Sequence, residues 1–288
     1  MHAFPEGATQ KDTIVASVAR AIDAGLFLDD DHTTNGSLIK CVVDDGDVRT
    51  FERETGIPGS LALLADMSVG FRTDDLPAAR RFAGIWIATP VPGADLTRVP
   101  NAMILWVIDR AEQIWRSAFH DDPSEVLRTI RELHARQSSG QDPDRTEWSK
   151  ARGDALARTD AETDDRRSLI NRMAETLAWP PLTSRTILSE GVRILADMAG
   201  AVTAANAPMT QEERAGIHRT MEALFAETEA ERDADPEGYF FPDIFHARMP
   251  EIAERFTADL NAQNAAVADT VVAAGDKALE LMGAAPRA

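Results

Sequence analysis

Asn101-Ala102-Met103-Ile104-Leu105-Trp106-Val107-Ile108-Asp109-Arg110 decides how this chain is read. The apolar run from Ala102 to Ile108 keeps to no single stripe, and a helix that is apolar all round has to be surrounded by the rest of its protein. It is also too short to cross a membrane, which takes about 20 apolar residues. On either side, residues 61–115 form the densest apolar stretch and hold Trp86, Trp106 and Trp115. The pattern predicts an all-α fold, a multi-helix bundle of about ten helices around a buried central helix at roughly 99–116.

Upstream, Ile14, Val15, Val18 and Ile22 recur at helical spacing and predict a helix over 12–24. A short helix is expected at 37–45. Asp47 is placed to cap a third that ends at Gly56, and Pro58 opens a fourth. Asp75-Leu76-Pro77 starts a helix through Phe82 and Trp86, which the turn Pro90-Val91-Pro92-Gly93 ends.

Downstream, Asp122-Pro123-Ser124-Glu125 has the acidic cap and early proline of a helix start, and this helix should run to about Ala135. Residues 137–143 lack any apolar side chain and read as a linker. They divide the chain into an N-terminal helical domain, 1–136, and a C-terminal helical region, 144–288, with long antiparallel helices. A polar helix is expected from Asp144 through Ala178. After the Pro180-Pro181 break comes a helix carrying Ile187, Leu188, Leu195, Met198 and Val202. Thr210 and Glu213 form a capping box for the next. A loop from Asp233 to Pro242 precedes a last helix from Pro250 to Met282, in which Gly275 is a point of weakness.

Charge narrows the partners. The 288 residues carry 48 acidic against 30 basic side chains, a formal charge of −18, which repels nucleic-acid phosphates and anionic lipid heads. Neither nucleic acid nor a membrane is expected as partner. With Cys41 alone, an internal disulfide and a multi-cysteine metal site are both ruled out, and Cys41 reads as a small buried hydrophobe. The N-terminal residues show neither a basic nor an apolar leader pattern, so residence in the cytoplasm is expected. Dinucleotide, P-loop, nucleophile-elbow and zincin signatures do not occur, and the sequence gives no reason to expect a cofactor or a bound metal.

Three segments nonetheless resemble sites. Asp31, Thr33, Asn35 and Gly36 fall at positions 1, 3, 5 and 6 of a calcium loop, but Val42 stands where the bidentate glutamate belongs. Residues 47–67 have the outline of a helix-turn-helix, although the second helix offers a DNA groove only Ser60 and Asp66. The third segment, 237–248, gathers Tyr239, Asp243, His246 and Arg248 among Phe240, Phe241 and Phe245. There His246 could act as acid or base, oriented by Asp243, with Arg248 holding an anion. The same phenylalanines equally explain the segment as an anchor. His120, His134 and His218 read as surface or capping histidines, and the tryptophans as core.

These features favour a non-enzymatic protein that acts through another protein in a regulatory or assembly role. The alternatives are an enzyme or small-molecule binder with its pocket near 237–248, and a DNA-binding regulator using 47–67.

Overall fold

The structure, a computed structural model, describes residues 1–25, 37–72, 75–119, 122–163 and 165–287. Among them are 14 helices, α1 (Ala8–Asp23), α2 (Leu38–Val42), α3 (Val48–Thr55), α4 (Gly59–Gly70), α5 (Leu76–Ala88), α6 (Val99–Phe119), α7 (Ser124–Ser138), α8 (Arg145–Ala161), α9 (Asp165–Leu177), α10 (Ile187–Asn206), α11 (Gln211–Glu227), α12 (Glu229–Ala234), α13 (Phe241–Arg248) and α14 (Pro250–Gly283). The fold is all-α, and no helix among the described residues is long and apolar enough to cross a membrane.

Local signals set many helix starts. Asp47 accepts from the Thr50 amide and Asp75 from that of Ala78. Asp144 and Thr210 each form a complete capping box, with Glu147 and Glu213 reaching back to the cap backbone. Other expectations are corrected. The helix expected over 144–178 is two, because α8 ends at Ala161 with Glu162 extended and α9 packs back against it. The expected loop 233–242 is shorter, since α12 reaches Ala234 and Pro242 sits in the first turn of α13.

Chain contacts divide the molecule into two compact units, one of Met1–Met198 with Ala268–Ala288 and the other Ala199–Val267. This differs from a cut at 137–143. That stretch lies within the first unit, where Arg136 at the end of α7 pairs with Glu147 in the first turn of α8.

In the first unit Phe51, Leu61, Leu64, Trp86, Met103 and Ile104 are fully buried. The helix enclosed most completely is α4, buried at eight of its twelve positions including Gly59, Ser60, Ala65 and Ser68. α6 buries Met103, Ile104, Val107, Ile108, Ala111 and Trp115, while Leu105 and Trp106 are half-buried. Gly275 does not interrupt α14. A Cβ there would lie 2.3 Å from Ser68 Oγ, so glycine lets α14 approach α4, and Ser68 donates to the Val271 carbonyl at 3.1 Å. Arg72 tightens the same contact by donating to Val272 O at 3.1 Å and to Asp276 Oδ1 at 2.6 Å, its guanidinium 3.9 Å from the Phe82 ring centre.

Both chain ends of this unit are held by one turn. Ala3 donates to Ala94 O, Leu96 to Met1 O and Asp95 to Pro286 O, at 2.8–2.9 Å. The fit explains Phe4, fully buried at a left-handed φ of 48°, and Gly56, where any Cβ would lie 1.9 Å from His2 O.

The second unit has a smaller core of Met209, Ile217, Leu224, Phe245 and Ala253, ringed by Met221, Phe241, Met249 and Phe256. Bidentate pairing of Arg214 with Asp259, at 2.7 and 3.1 Å, ties α11 to α14, and Arg255 reaches Glu213 at 3.0 Å.

Candidate functional site

The segment 237–248 lies in the second unit, and its local structure follows from two ends. Thr228, fully buried where α11 passes into α12, donates its hydroxyl to the Leu224 carbonyl at 2.9 Å and meets the Tyr239 hydroxyl at 2.7 Å. That contact fixes the start of the segment. At its other end α13 buries Phe245 in the small core, with Phe241 stacked on it at 6.2 Å between ring centres.

The four sequence-nominated side chains are not brought together. Tyr239 is engaged with Thr228. Arg248 donates to Glu227 Oε1 at 3.1 Å and to Glu231, tying α13 to α11 and α12. His246, exposed, shares a 3.2 Å hydrogen bond with Thr257 on α14. Asp243 is exposed at the i, i+3 position from His246, and among the described residues no hydrogen bond joins the two. Arg248 is thus already neutralised by two glutamates and has little charge left for an anion.

What the segment does present is an aromatic face. Phe225 is 45% exposed and Phe240 60% exposed, and Phe225 meets Tyr239 and Phe241 edge-on at 6.4 and 5.5 Å. Arg232 lies over the same group, 4.4 Å from the Phe225 ring centre and 5.9 Å from that of Tyr239. The stretch 227–237 carries six carboxylates, Glu227, Glu229, Glu231, Asp233, Asp235 and Glu237, of which Glu227 and Glu231 pair with Arg248 and Glu229 lies 3.9 Å from Arg232. The acidic run was legible in the sequence. Phe225 was not singled out, because its place beside Tyr239 depends on how α12 and the following turn fold back.

Other candidates resolve differently. The calcium-like loop at 29–36 and His120 lie outside the described residues. In the helix-turn-helix segment, α3 and α4 do meet at Gly56, but α4 is enclosed and has no face free to enter a groove. Its Asp66 instead caps α2, accepting from Leu38 N at 2.6 Å and Ser37 Oγ at 2.7 Å. Burial pushes the Asp66 carboxyl up to about 6 against those hydrogen bonds. Cys41 is half-buried, and desolvation, with Asp66 nearby, raises its thiol to about 11, so it is no nucleophile at neutral pH.

His134 is a correction, since it is neither surface nor capping. It is fully buried, bonded through Nδ1 to Asn101 Oδ1 at 2.9 Å and through Nε2 to the Leu177 carbonyl at 2.8 Å. Desolvation holds its pKa down near 4. Among the described residues no group of three or more His, Cys, Asp or Glu side chains could hold a metal ion. No protein-family model matches the chain, nor does any curated protein or solved structure.

Proposed function

We propose that this protein acts by binding another protein, and that the aromatic face of the second unit receives a basic segment with apolar anchors. The observation that carries the reading is Phe225, 45% exposed beside Tyr239 and Phe241, on a segment that also exposes Phe240 and carries more carboxylates than basic side chains. Exposed aromatics are the groups that yield most on burial in an interface, and the acidic segment selects the charge of what covers them. Binding rather than catalysis is favoured because Tyr239, His246 and Arg248 are each engaged with a separate structural partner. Cytoplasmic residence belongs to the same reading.

The test uses a 20-residue amphipathic helical peptide of leucine and lysine, compared with a lysine-serine peptide of equal charge. Calorimetric titration is expected to show the leucine peptide binding at least about tenfold tighter, and Phe240→Ser or Phe225→Ser to remove most of that difference without lowering the unfolding midpoint of the protein. Equal affinity for the two peptides, or no loss in either variant, would mean that net charge alone attracts them and would overturn the reading.

A further inference from the structure

A cleft of about 640 Å³ lies wholly within the first unit, between the α7–α8 turn and the segment that follows α9. Its charge is opposite in sign to that of the chain. Arg145 and Arg152, two turns apart on α8, line it against the one carboxylate of Asp142, in a chain of formal charge −18. Along α8, residues 145–158 hold four basic and two acidic side chains, and one of the latter, Glu147, is already paired with Arg136. Neither Arg145 nor Arg152 has an ion-pair partner among the described residues. Arg152 lies flat over the Trp179 ring, its guanidinium 3.9 Å from the ring centre, and a stacked guanidinium keeps its in-plane N–H groups for a carboxylate. Trp179 and Leu182 in the lining remain 41% and 39% exposed, and Leu156, one turn beyond Arg152 on α8, is 44% exposed.

The second unit carries the counterpart. The turn that links α12 to α13 exposes Phe240, which at 60% is the most exposed large apolar side chain among the described residues. Residues 233–240 hold three carboxylates and no basic side chain. Of the three, Asp233 and Glu237 are exposed and have no ion-pair partner among the described residues. The turn is set before any partner arrives. Tyr239 N donates to Asp235 O at 3.0 Å, Gly238 N to Asp235 Oδ1 at 3.0 Å, and the Tyr239 hydroxyl is held by Thr228. A segment already fixed in shape loses little conformational freedom on docking.

We infer that the cleft receives this turn from a second copy of the chain, with Phe240 seated against the exposed parts of Trp179 and Leu182 and the carboxylates of Asp233 and Glu237 on Arg145 and Arg152. The inference rests on the reading of the aromatic face as a protein-binding surface, and it names the basic, apolar partner that this face takes. Charge complementarity selects the occupant, since a net positive lining with exposed apolar side chains meets a turn of three carboxylates around one exposed phenylalanine. Carboxylate on guanidinium is a directional pairing that an uncharged aromatic segment cannot make. The two surfaces differ, so the contact is heterologous, and each copy offers one cleft and one turn. One turn in one cleft is small beside a standard interface, and two chains of charge −18 repel each other, so the association is weak, with a Kd of about 10–100 µM.

Sedimentation equilibrium of the whole chain tests this at about 0.15 M salt, where repulsion is screened beyond roughly 8 Å and direct pairs are screened much less. Reversible association in that concentration range is expected. Phe240→Ser removes the anchor of the turn and Arg152→Glu reverses a cleft charge, and each should weaken association at least about tenfold. Mixing the two variants should restore most of it, because the Phe240→Ser copy keeps an intact cleft and the Arg152→Glu copy an intact turn. Thermal unfolding checks that each variant is folded, and Arg145→Glu, at an exposed position in the first turn of α8, takes the place of Arg152→Glu if that variant is not. A chain that stays monomeric to about 0.5 mM, undiminished association in either variant, or no recovery on mixing overturns the proposal. If the chain is monomeric while a synthetic peptide of residues 231–242 binds it and loses affinity in Arg152→Glu, the cleft serves an acidic segment of a different protein and the second-copy assignment falls. The reading of the aromatic face stands or falls separately on the leucine and lysine peptide, and binding of that peptide by a chain that does not self-associate overturns self-association alone.

Discussion

The two units of this chain solve the same problem by different means. The first buries large apolar side chains from α3, α4, α5 and α6, with Phe51, Trp86, Met103 and Ile104 fully out of water, and it also takes polar groups inside, among them Ser68, Asn101 and His134. The second has five buried core residues and holds its helices together with arginine–carboxylate pairs, Arg214–Asp259, Arg255–Glu213 and Arg248 with Glu227 and Glu231. Between 199 and 267 it carries 13 acidic against 5 basic residues, a net −8. Salt screens ion pairs and does not screen hydrophobic burial, so the contrast predicts a first unit governed by packing and a second governed by charge.

The largest expected effect tests packing in the first unit. Trp86→Ala should cost about 3–5 kcal/mol, the range for deleting a large buried aromatic. Trp106, at the centre of the decisive apolar run, is only half-buried, so Trp106→Ala should cost clearly less. Equal losses in urea unfolding would show that Trp106 is packed as deeply as Trp86.

The next effect concerns the polar groups inside that unit, where the signs oppose each other. His134 has its pKa lowered from 6.5 to about 4. The unfolded chain therefore binds the proton first, and the stability His134 contributes is full above pH 6.5 and lost as pH falls toward 4. Asp66 has its pKa raised from 3.8 to about 6, so its contribution is full below 3.8 and lost as pH rises through 6. Each amounts to about 3 kcal/mol across its window, and in the wild type they largely cancel between pH 4 and 6. Urea midpoints should accordingly fall with rising pH in His134→Gln and rise with pH in Asp66→Asn. Parallel profiles in the two variants would show that these groups are not buried as described.

The smallest effects sharpen the account of the second unit. Asp259, nine-tenths buried, keeps its carboxyl ionised and below its usual range chiefly through the hydrogen bond from Arg214. Arg214→Ala strands that charge and should cost about 2–3 kcal/mol. The Arg255–Glu213 pair is exposed on both sides, so Arg255→Ala should leave the urea midpoint almost unchanged at low salt and unchanged at high salt. A negligible loss for Arg214→Ala in hydrogen exchange of residues 199–267 would remove the distinction between the units.

Helix identity was legible because its signals are local. Asp47, Asp75, Asp144 and Thr210 sit at helix starts and accept from amides two or three residues away, and the capping box expected at Thr210 and Glu213 is formed, whereas Pro123 and not Asp122 stands at the cap of α7, with no side-chain cap there. Apolar periodicity likewise located α1, α5, α6 and α10. The nominated site was legible only as composition. Tyr239, Asp243, His246 and Arg248 are close in sequence, but each of the partners found, Thr228, Thr257, Glu227 and Glu231, comes from another element.

That this chain is all-α, acidic and built of capped amphipathic helices can be read from its residues alone, because periodicity, caps and charge act within a few residues or add without regard to position. Long-range packing settled how completely α4 is enclosed, why Gly275 and Gly56 are glycine, and that His134 is inside. Those outcomes depend on close approach between residues far apart in the chain, such as Ser68 with Gly275 or His2 with Gly56. Such contacts are set by the packing of whole helices and leave no periodic trace in the sequence.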